Sequence, residues 1–329
     1  MKANTRNVLF SLLLILVIGL SACGTPAATP LPAPAPTEAP TPTDAPAPTA
    51  EPTAVPATEA PAAPANPNLI LATTTSTQDS GLLDVLVPMF EQQSGFKVQT
   101  VAVGSGAAIK MGQEGNADVL LVHSPAAEKV FMTDGWGKDR VLVMHNDFIL
   151  VGPASDPAQI KGKGPKDAFV AIATAGDADP AKVLFIARAD KSGTSTKELD
   201  FWKKAELDPA GKKPAWYVET GQGMGATLTI ASEKGGYTLT DRATFLANKD
   251  KLQLEILLEG NNAFLNVYHV ISIDTAKWPK VNYDGATAFI KFLTDPTTQE
   301  VIGKFGLEKY GQALFVADAT KTDADLGLK

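Results

Sequence analysis

The chain has 329 residues, and its 36 acidic and 29 basic side chains give it a formal net charge of −7. This acidic balance argues against nucleic acid as a partner, because nucleic-acid binding depends on a basic surface. The single cysteine excludes an internal disulfide, so a folded domain in this chain must be stabilised by its apolar core.

Residues 1–22 have the pattern of a secretory signal peptide. Lys2 and Arg6 precede an apolar run, residues 8–20, which is too short and too weakly flanked for a stable membrane span. Residues 20–23, Leu-Ser-Ala-Cys, are typical of a bacterial lipobox. We therefore expect Cys23 to carry a lipid that holds the protein on the outer side of the bacterial cell membrane. The alternative is an unmodified cysteine after an ordinary signal peptide.

Residues 24–67 have the composition of a linker. They contain 14 of the 24 prolines of the chain, interleaved with alanine and threonine. Such a segment buries too little apolar surface to fold. We expect residues 23–67 to comprise the lipidated cysteine and a disordered tether, extended by at most about 3.1 Å per residue.

Strand-like and helix-like patterns alternate from residue 68 onward. In the first part, strands are predicted at 69–72, 97–103, 118–122 and 141–151, and helices at 82–93, 107–113 and 126–134. In the second part, strands or buried runs are predicted at 169–173, 183–187, 252–258 and 264–273, and helices at 195–205, 225–234, 283–293 and 296–304. This order predicts an α/β fold with mostly parallel sheets flanked by helices.

The length of this region favours two lobes over one. We expect the chain to cross between lobes near 146–152 and to return near 261–268. The first lobe would then comprise residues 68–147 and 266–329, and the second lobe residues 148–265.

Four segments share one design, in which a predicted strand ends, small or hydroxyl residues follow and a helix begins: 73–77, 104–108, 123–125 and 192–195. In open α/β sheets, ligands bind beyond the carboxyl ends of the strands. The N–H groups of helix N-termini attract anions there, and hydroxyls add neutral donors. Each segment taken alone is more typical of an ordinary helix cap or turn, and it is the occurrence of four at equivalent places that favours an anion site.

Arg188 lies four residues before Ser192 and strengthens the case for an anion site. Its guanidinium presents a planar fork of donors that matches a tetrahedral oxyanion. The alternative is an ion pair with Asp190 or Glu198. A further glycine-rich run, residues 221–225, could be a second backbone nest or a flexible turn.

The region after residue 68 resembles the tungstate-binding lipoproteins of bacterial ABC importers, which are related to the molybdate and phosphate binders. The residues that carry the resemblance are Thr73-Thr74-Thr75-Ser76, Asp79-Ser80-Gly81-Leu82-Leu83, 118–123, Asn146-Asp147-Phe148, Ser192-Gly193-Thr194, 221–225 and 237–242. They span nearly the whole region. The sequence departs from the family at Ser195, where histidine is frequent, and at Ala187 and Ala189, where serine and glycine are usual.

The resemblance implies a two-lobed type II periplasmic-binding-protein fold with a hinge of crossing strands. It also implies an oxyanion held between the lobes, an ABC permease and its ATPase as partners, a monomer, and no cofactor. The ligand-binding residues that it implies are Thr75, Ser76, Ser105, Gly106, Ser124, Arg188, Ser192, Gly193 and Thr194.

The residue at position 123 favours tungstate or molybdate over phosphate. Near neutral pH phosphate keeps a proton and needs an acceptor, whereas tungstate needs only donors. Counting without gaps from Asp118, we find His123 where the phosphate binders have an aspartate. His123 is also consistent with a buried core histidine. A phosphate or sulfate receptor remains the alternative function.

Two other classes of function fit the sequence less well. An enzyme would need a nucleophile or a metal site, but the region after residue 68 has no cysteine, and its histidines, His123, His145 and His269, lack metal-ligand spacing. A stalked surface interaction module would suit the tether. It would favour exposed aromatic residues over hydroxyl-rich loops.

Overall fold

The computed structural model of the protein describes residues 64–328. The predicted signal peptide, Cys23 and nearly all of the predicted tether lie outside the described residues. All that follows concerns residues 64–328. Within residues 64–328, no helix combines the length and the apolar character that a membrane span requires.

The first part of the described chain alternates strands and helices as predicted. Its elements are β1 (Asn68–Thr74), α1 (Thr75–Asp79), α2 (Leu82–Ser94), β2 (Lys97–Val103), α3 (Ser105–Gln113), β3 (Val119–Val122), α4 (Pro125–Thr133) and β4 (Gly137–Gly152). The hydroxyl run 73–77 is divided between β1 and α1. Thr74 caps α1, because its side chain accepts a hydrogen bond from the N–H of Thr77.

The second part contains more elements than the sequence patterns indicate. They are α5 (Pro165–Ala178), β5 (Phe185–Ala187), α6 (Gly193–Lys204), α7 (Pro209–Lys212), β6 (Tyr217–Glu219), α8 (Met224–Lys234), β7 (Thr238–Asp241), α9 (Arg242–Asn248), β8 (Glu255–Leu258), β9 (Leu265–Ile273), α10 (Tyr283–Thr294), α11 (Pro296–Lys304), α12 (Leu307–Tyr310) and β10 (Val316–Ala317).

The strand or buried run expected at 169–173 is instead the middle of helix α5. Gly164 caps this helix and Pro165 occupies its first turn, where a missing N–H costs nothing. Phe169, Ile172 and Ala173 are buried at helical spacing. The short apolar run fits either structure, and the proline before it is the signal for a helix.

The main sheet has the order β10-β4-β9-β3-β1-β2, with β7 and β8 also paired to β4. β1 is parallel to both of its neighbours, as predicted. β9 and β4 are antiparallel to their neighbours in this sheet. The α/β class is therefore correct, but the expectation of mostly parallel sheets is wrong, because the main sheet is mixed.

β4 passes from one part of the fold to the other. Its residues up to Asp147 pair with β9, whereas its residues from Phe148 onward pair with β7 and β8. We call α1–α4, α10–α12 and β1–β3 with β9 the first lobe, and α5–α9 with β5–β8 the second lobe. One apolar cluster of the first lobe includes Phe90 and Phe289, and one of the second includes Phe169 and Trp202.

Candidate functional site

Arg188 lies at the centre of the candidate site, directly after β5. Its side chain is only 1% exposed. Nη2 donates to Thr75 Oγ1 of the first lobe at 2.9 Å, and Nη1 donates to Thr194 Oγ1 at 3.4 Å. The guanidinium therefore joins hydroxyls from both lobes, and these hydroxyls come from two of the four predicted segments.

Arg188 also forms an ion pair with Asp190, whose Oδ2 lies 2.5 Å from Nη2. The alternative weighed from the sequence is thus part of the structure, and it occurs within the predicted site. Glu198, the other partner considered, instead accepts hydrogen bonds from Trp202 and Tyr217. Both carboxylate oxygens of Asp190 are engaged, because Oδ1 accepts from the Ser192 N–H at 3.1 Å.

The loop that carries Asp190 has a strained backbone. Ala189 and Lys191 both have positive φ angles, 52° and 58°. Residues with a Cβ rarely adopt this conformation, which costs roughly 1–2 kcal/mol per residue. The glycine that is usual at position 189 in the resembled family would avoid this cost. The loop is held by the ion pair between Asp190 and Arg188 and by the bond from the Ser192 N–H to Asp190.

The hydroxyls of Thr75, Ser192 and Thr194 act as acceptors in every hydrogen bond described for them. Thr75 accepts from Arg188 and, at 3.4 Å, from the N–H of Met224. Ser192 caps α6 by accepting from the N–H of Ser195 at 3.1 Å. Because each oxygen accepts from an N–H group, the hydroxyl hydrogen is left to donate elsewhere. The three residues can therefore each offer a donor to an anion.

Ser105 begins α3 and is fully buried. The residues on either side of it contact the strained loop: a Cβ on Gly104 would lie 3.1 Å from the Asp190 carbonyl oxygen, and Gly106 donates its N–H to the Lys191 carbonyl at 3.3 Å. Ser105 is thus held beside the residues around Arg188. The N–H of Gly106, in contrast, is already used in a hydrogen bond between the lobes.

Two buried side-chain polar atoms within residues 64–328 have no hydrogen-bond partner: Ser105 Oγ and Arg188 Nε. Buried polar groups in proteins are almost always paired, so each exception calls for an explanation. Both atoms are able to donate a hydrogen bond. Both belong to the predicted anion site, where a bound acceptor would satisfy them.

Gly193 is required for a close approach between the lobes. A Cβ at this position would lie 2.7 Å from the main-chain oxygen of His123, which is closer than van der Waals contact allows. The role of Gly193 is therefore steric: without a side chain at this position, the start of α6 can lie against the end of β3.

Ser76 follows Thr75 in the chain, but its hydroxyl bonds to His123 and not to Arg188. Burial lowers the pKa of His123 to about 4, so the ring is neutral at neutral pH. Nδ1 faces Asn266 Oδ1 at 2.8 Å and must donate, which leaves Nε2 to accept from Ser76 at 3.1 Å. The structure thus engages Ser76 in a different bond from the one expected.

Ser76, His123 and Asn266 have the order of a nucleophile, a base and an orienting group. Two observations weigh against such a role. Ser76 is fully buried and His123 is only 3% exposed. A histidine with a pKa of about 4 is also a weak base near pH 7. The arrangement instead links the end of β3 to the crossing strands, because Asn266 donates to Asn146 at 2.8 Å.

Ser124 lies farther along the cleft. It occupies the N-cap position of α4 without a side-chain capping bond, and its N–H donates to Glu128 Oε1 at 2.6 Å. Together with Gly193 and Asn266 it lines a cavity of about 340 Å³ between the lobes. The lining of this cavity includes neither Arg188 nor the hydroxyls bonded to it, so the structure does not bring Ser124 together with them.

Sequence reasoning missed the role of Asp241 in holding the site together. Asp241 accepts from Thr244 Oγ1 at 2.7 Å, and Thr244 Oγ1 also lies 3.1 Å from the main-chain oxygen of Ser76 in α1. Burial raises the pKa of Asp241 to about 6. The available signal was its place in the 237–242 segment, which follows the family pattern without a role assigned to it.

The described side chains around Arg188 are suited to holding an oxyanion. Within residues 64–328, no group of three or more histidine, cysteine or acidic side chains is placed to hold a metal ion. The groups hydrogen-bonded to Arg188 are the hydroxyls of Thr75 and Thr194 and the carboxylate of Asp190, each of whose oxygens already has a partner. A fully deprotonated oxyanion matches such a set.

These features are those of a two-lobed α/β binding protein. The chain belongs to the PBP superfamily, whose domain model matches residues 49–297, and this confirms the class inferred from the sequence.

Two curated proteins and one solved structure are similar to this chain over most of its length. The chain is 44% identical over 266 residues to tungstate-binding protein TupA of Peptoclostridium acidaminophilum, which covers 81% of this chain and 91% of the relative. It is 46% identical over 254 residues to TupA of Campylobacter jejuni, which covers 76% of this chain and 90% of the relative. The structure of the tungstate ABC transporter protein from Geobacter sulfurreducens superposes with a TM-score of 0.64 at 46% identity, covering 72% of this chain and 98% of that one.

Proposed function

We propose that this protein captures tungstate between its two lobes and delivers it to an ABC permease. The relatives named above are tungstate-binding proteins, and one is part of a tungstate ABC transporter. The observation that carries the proposal is the pair of buried donors without a partner, Ser105 Oγ and Arg188 Nε. An oxyanion held between them would satisfy both.

The character of the donors supports a ligand without a proton. Arg188 Nε and the hydroxyls of Ser105, Thr75, Ser192 and Thr194 offer five hydrogens. Hydrogen phosphate would also need an acceptor, and the acceptors around Arg188 and Ser76 each already accept one hydrogen bond: Asp190 Oδ2 from Arg188, Asp190 Oδ1 from the Ser192 N–H and His123 Nε2 from Ser76. Tungstate and molybdate need no acceptor, and sulfate shares this property.

Burial of the site strengthens the binding that we propose. Ser105, Arg188, Ser192 and Thr194 are each at most 1% exposed. Hydrogen bonds between charged groups are stronger where water is excluded. The donors are held by the fold, so little reorganisation is needed when the anion binds.

The remaining parts of the proposal concern delivery. Two lobes would close on the anion about a hinge at the crossing strands. The first lobe would comprise residues 68–147 and 266–329, and the second residues 148–265. A lipid on Cys23 and the tether would keep the monomeric protein beside its permease and the ATPase, outside the cytoplasmic membrane. The protein would act as a carrier, without catalysis or a cofactor.

Calorimetry of the purified full-length protein against tungstate, molybdate, sulfate and phosphate at pH 7 tests the ligand. We expect tight binding of tungstate or molybdate and none of phosphate. Tight phosphate binding would refute the argument from donors. Binding of none of the four would favour a stalked interaction module instead.

A matched pair of variants tests the site. We expect Arg188→Ala to weaken tungstate binding by about a hundredfold or more, because charged hydrogen bonds contribute roughly 1.5–3 kcal/mol each. Lys161→Ala removes the same charge from an exposed ion pair with Glu255 in the second lobe, and its affinity should match that of the wild type. Equal affinities for both variants would exclude Arg188 from the site.

A further inference from the structure

The glycine-rich run 221–225 has no role in the function proposed above. In the structure it leads into α8, which begins at Met224 with Gly223 as its N-cap. No side chain of the run caps this helix. The first N–H groups of a helix have no partner within the helix, so those of α8 must find acceptors elsewhere.

The acceptors come from α1 in the other lobe. The N–H of Gly225 donates to Asp79 Oδ2 at 3.0 Å, and the N–H of Met224 donates to Thr75 Oγ1 at 3.4 Å. A helix N-terminus attracts negative groups, and here the negative group is a carboxylate of the protein itself. The N-terminus of α8 is therefore already occupied.

The two glycines nearest to α1 allow this approach. A Cβ on Gly225 would lie 3.0 Å from Asp79 Oδ2, and a Cβ on Gly223 would lie 3.2 Å from Thr75 Cγ2. Both distances are tighter than ordinary contact. The glycine pattern thus suits contact between α1 and α8, and it is explained without a second anion site.

We propose that Asp79 is a positioning residue that holds the lobes together by accepting the Gly225 N–H across the cleft. We call this contact the Asp79 latch. This proposal rests on the proposed function, because the latch can affect ligand affinity only if the anion binds to the closed form. The latch stabilises the closed form by a contact within the protein, which does not involve the anion. It therefore raises the affinity for the anion without any change in the contacts that the anion makes.

The contact itself requires only an acceptor oxygen at this position. Burial raises the pKa of the Asp79 carboxyl, while the Gly225 N–H and the positive charge of Arg188 partly oppose that rise. Burial therefore disfavours the ionised form more than these partners favour it. A neutral side chain with an acceptor oxygen in the same place should serve as well, which separates Asp79→Asn from Asp79→Ala.

Hydrogen exchange and calorimetry on the full-length protein test the latch. In the absence of ligand, we expect Asp79→Ala to speed exchange of the amides in residues 223–226 by roughly tenfold, the effect of losing one hydrogen bond. The same variant should weaken tungstate binding by about tenfold. Asp79→Asn should stay within about threefold of the wild type in both measurements.

Asp84→Ala is the matched control, because Asp84 is an exposed carboxylate at the start of the next helix and bonds to Gln78 within the same lobe. Its exchange and affinity should equal those of the wild type. Unchanged exchange and affinity in Asp79→Ala would overturn the latch, and an Asp79→Asn variant as defective as Asp79→Ala would overturn the role of the acceptor oxygen. If the wild type fails to bind tungstate, the proposed ligand is wrong, while the exchange measurement still decides the latch.

Discussion

Replacing Ser105 with alanine should have opposite effects on stability and on binding. The Ser105 hydroxyl is fully buried and has no hydrogen-bond partner among residues 64–328. An unsatisfied buried hydroxyl costs about 1–3 kcal/mol, and alanine removes that cost while leaving a cavity of only one atom. The ligand-free variant should therefore be more stable than the wild type.

We expect the gain in unfolding free energy to be about 1 kcal/mol, since the small cavity offsets part of the benefit. For a domain of this size, that corresponds to a rise of roughly 2–4 °C in Tm. The same substitution removes a donor to a charged acceptor, so tungstate affinity should fall by about tenfold to a hundredfold. Thermal unfolding without ligand and calorimetry with tungstate measure the two effects.

Ser192→Ala provides the contrast. The Ser192 hydroxyl caps α6 by accepting from the Ser195 N–H, so its loss should lower both stability and affinity. A ligand-free Ser105→Ala protein that unfolds at a lower temperature than the wild type would refute the inference that this hydroxyl lacks a partner. Unchanged tungstate affinity would place Ser105 outside the site.

Three further predictions concern the site and its surroundings. Arg188→Lys keeps the charge but loses the planar fork, so tungstate affinity should still fall by about tenfold or more in calorimetry; affinity equal to the wild type would show that charge alone suffices. Burial raises the pKa of Glu198 to about 7, so the folded state holds this proton more tightly than the unfolded state, and stability is lost as the pH rises through 7. Glu198→Gln should therefore exceed the wild type in denaturant stability by about 3 kcal/mol at pH 8 and by less as the pH falls towards 4.5, whereas parallel pH profiles would contradict this. Gly193→Ala should weaken tungstate binding because its Cβ would meet the His123 main-chain oxygen, whereas Gly303→Ala, where the nearest atom is 3.8 Å away, should bind normally; equal affinities would show that the approach of the lobes tolerates a methyl group.

Local patterns predicted those elements whose signals lie within a few residues. The helix expected at 296–304 is α11, which begins at Pro296 after the capping residue Asp295. The apolar run at 118–122 contains the fully buried strand β3. In both cases the signal is local: a cap and a proline mark the start of the helix, and an unbroken apolar run marks the strand.

Strand direction and short elements could not be predicted in this way. β9 is antiparallel to both β3 and β4, although its apolar pattern would suit a parallel strand equally well. β7 has only four residues, Thr238–Asp241, and three of them are polar, so it carries no strand pattern; it is buried because it pairs with β4. Such pairings depend on residues that are distant along the chain.

For the site, the chemical types of the donors are a property of the sequence alone. Hydroxyls at helix starts and an arginine near Ser192 are visible in the printed chain, and they predict donors for an anion. The sequence also determines that the region after residue 68 has no cysteine and hence no thiol chemistry.

Only the tertiary structure decides which of these donors are available. Arg188 meets Thr75 across 113 residues, and Ser76 turns out to bond to His123 while Ser105 is left without a partner. Asp79 is paired with the Gly225 N–H by the approach of the two lobes. The reason is that a hydrogen bond requires contact within about 3 Å, and the fold brings distant residues to that distance.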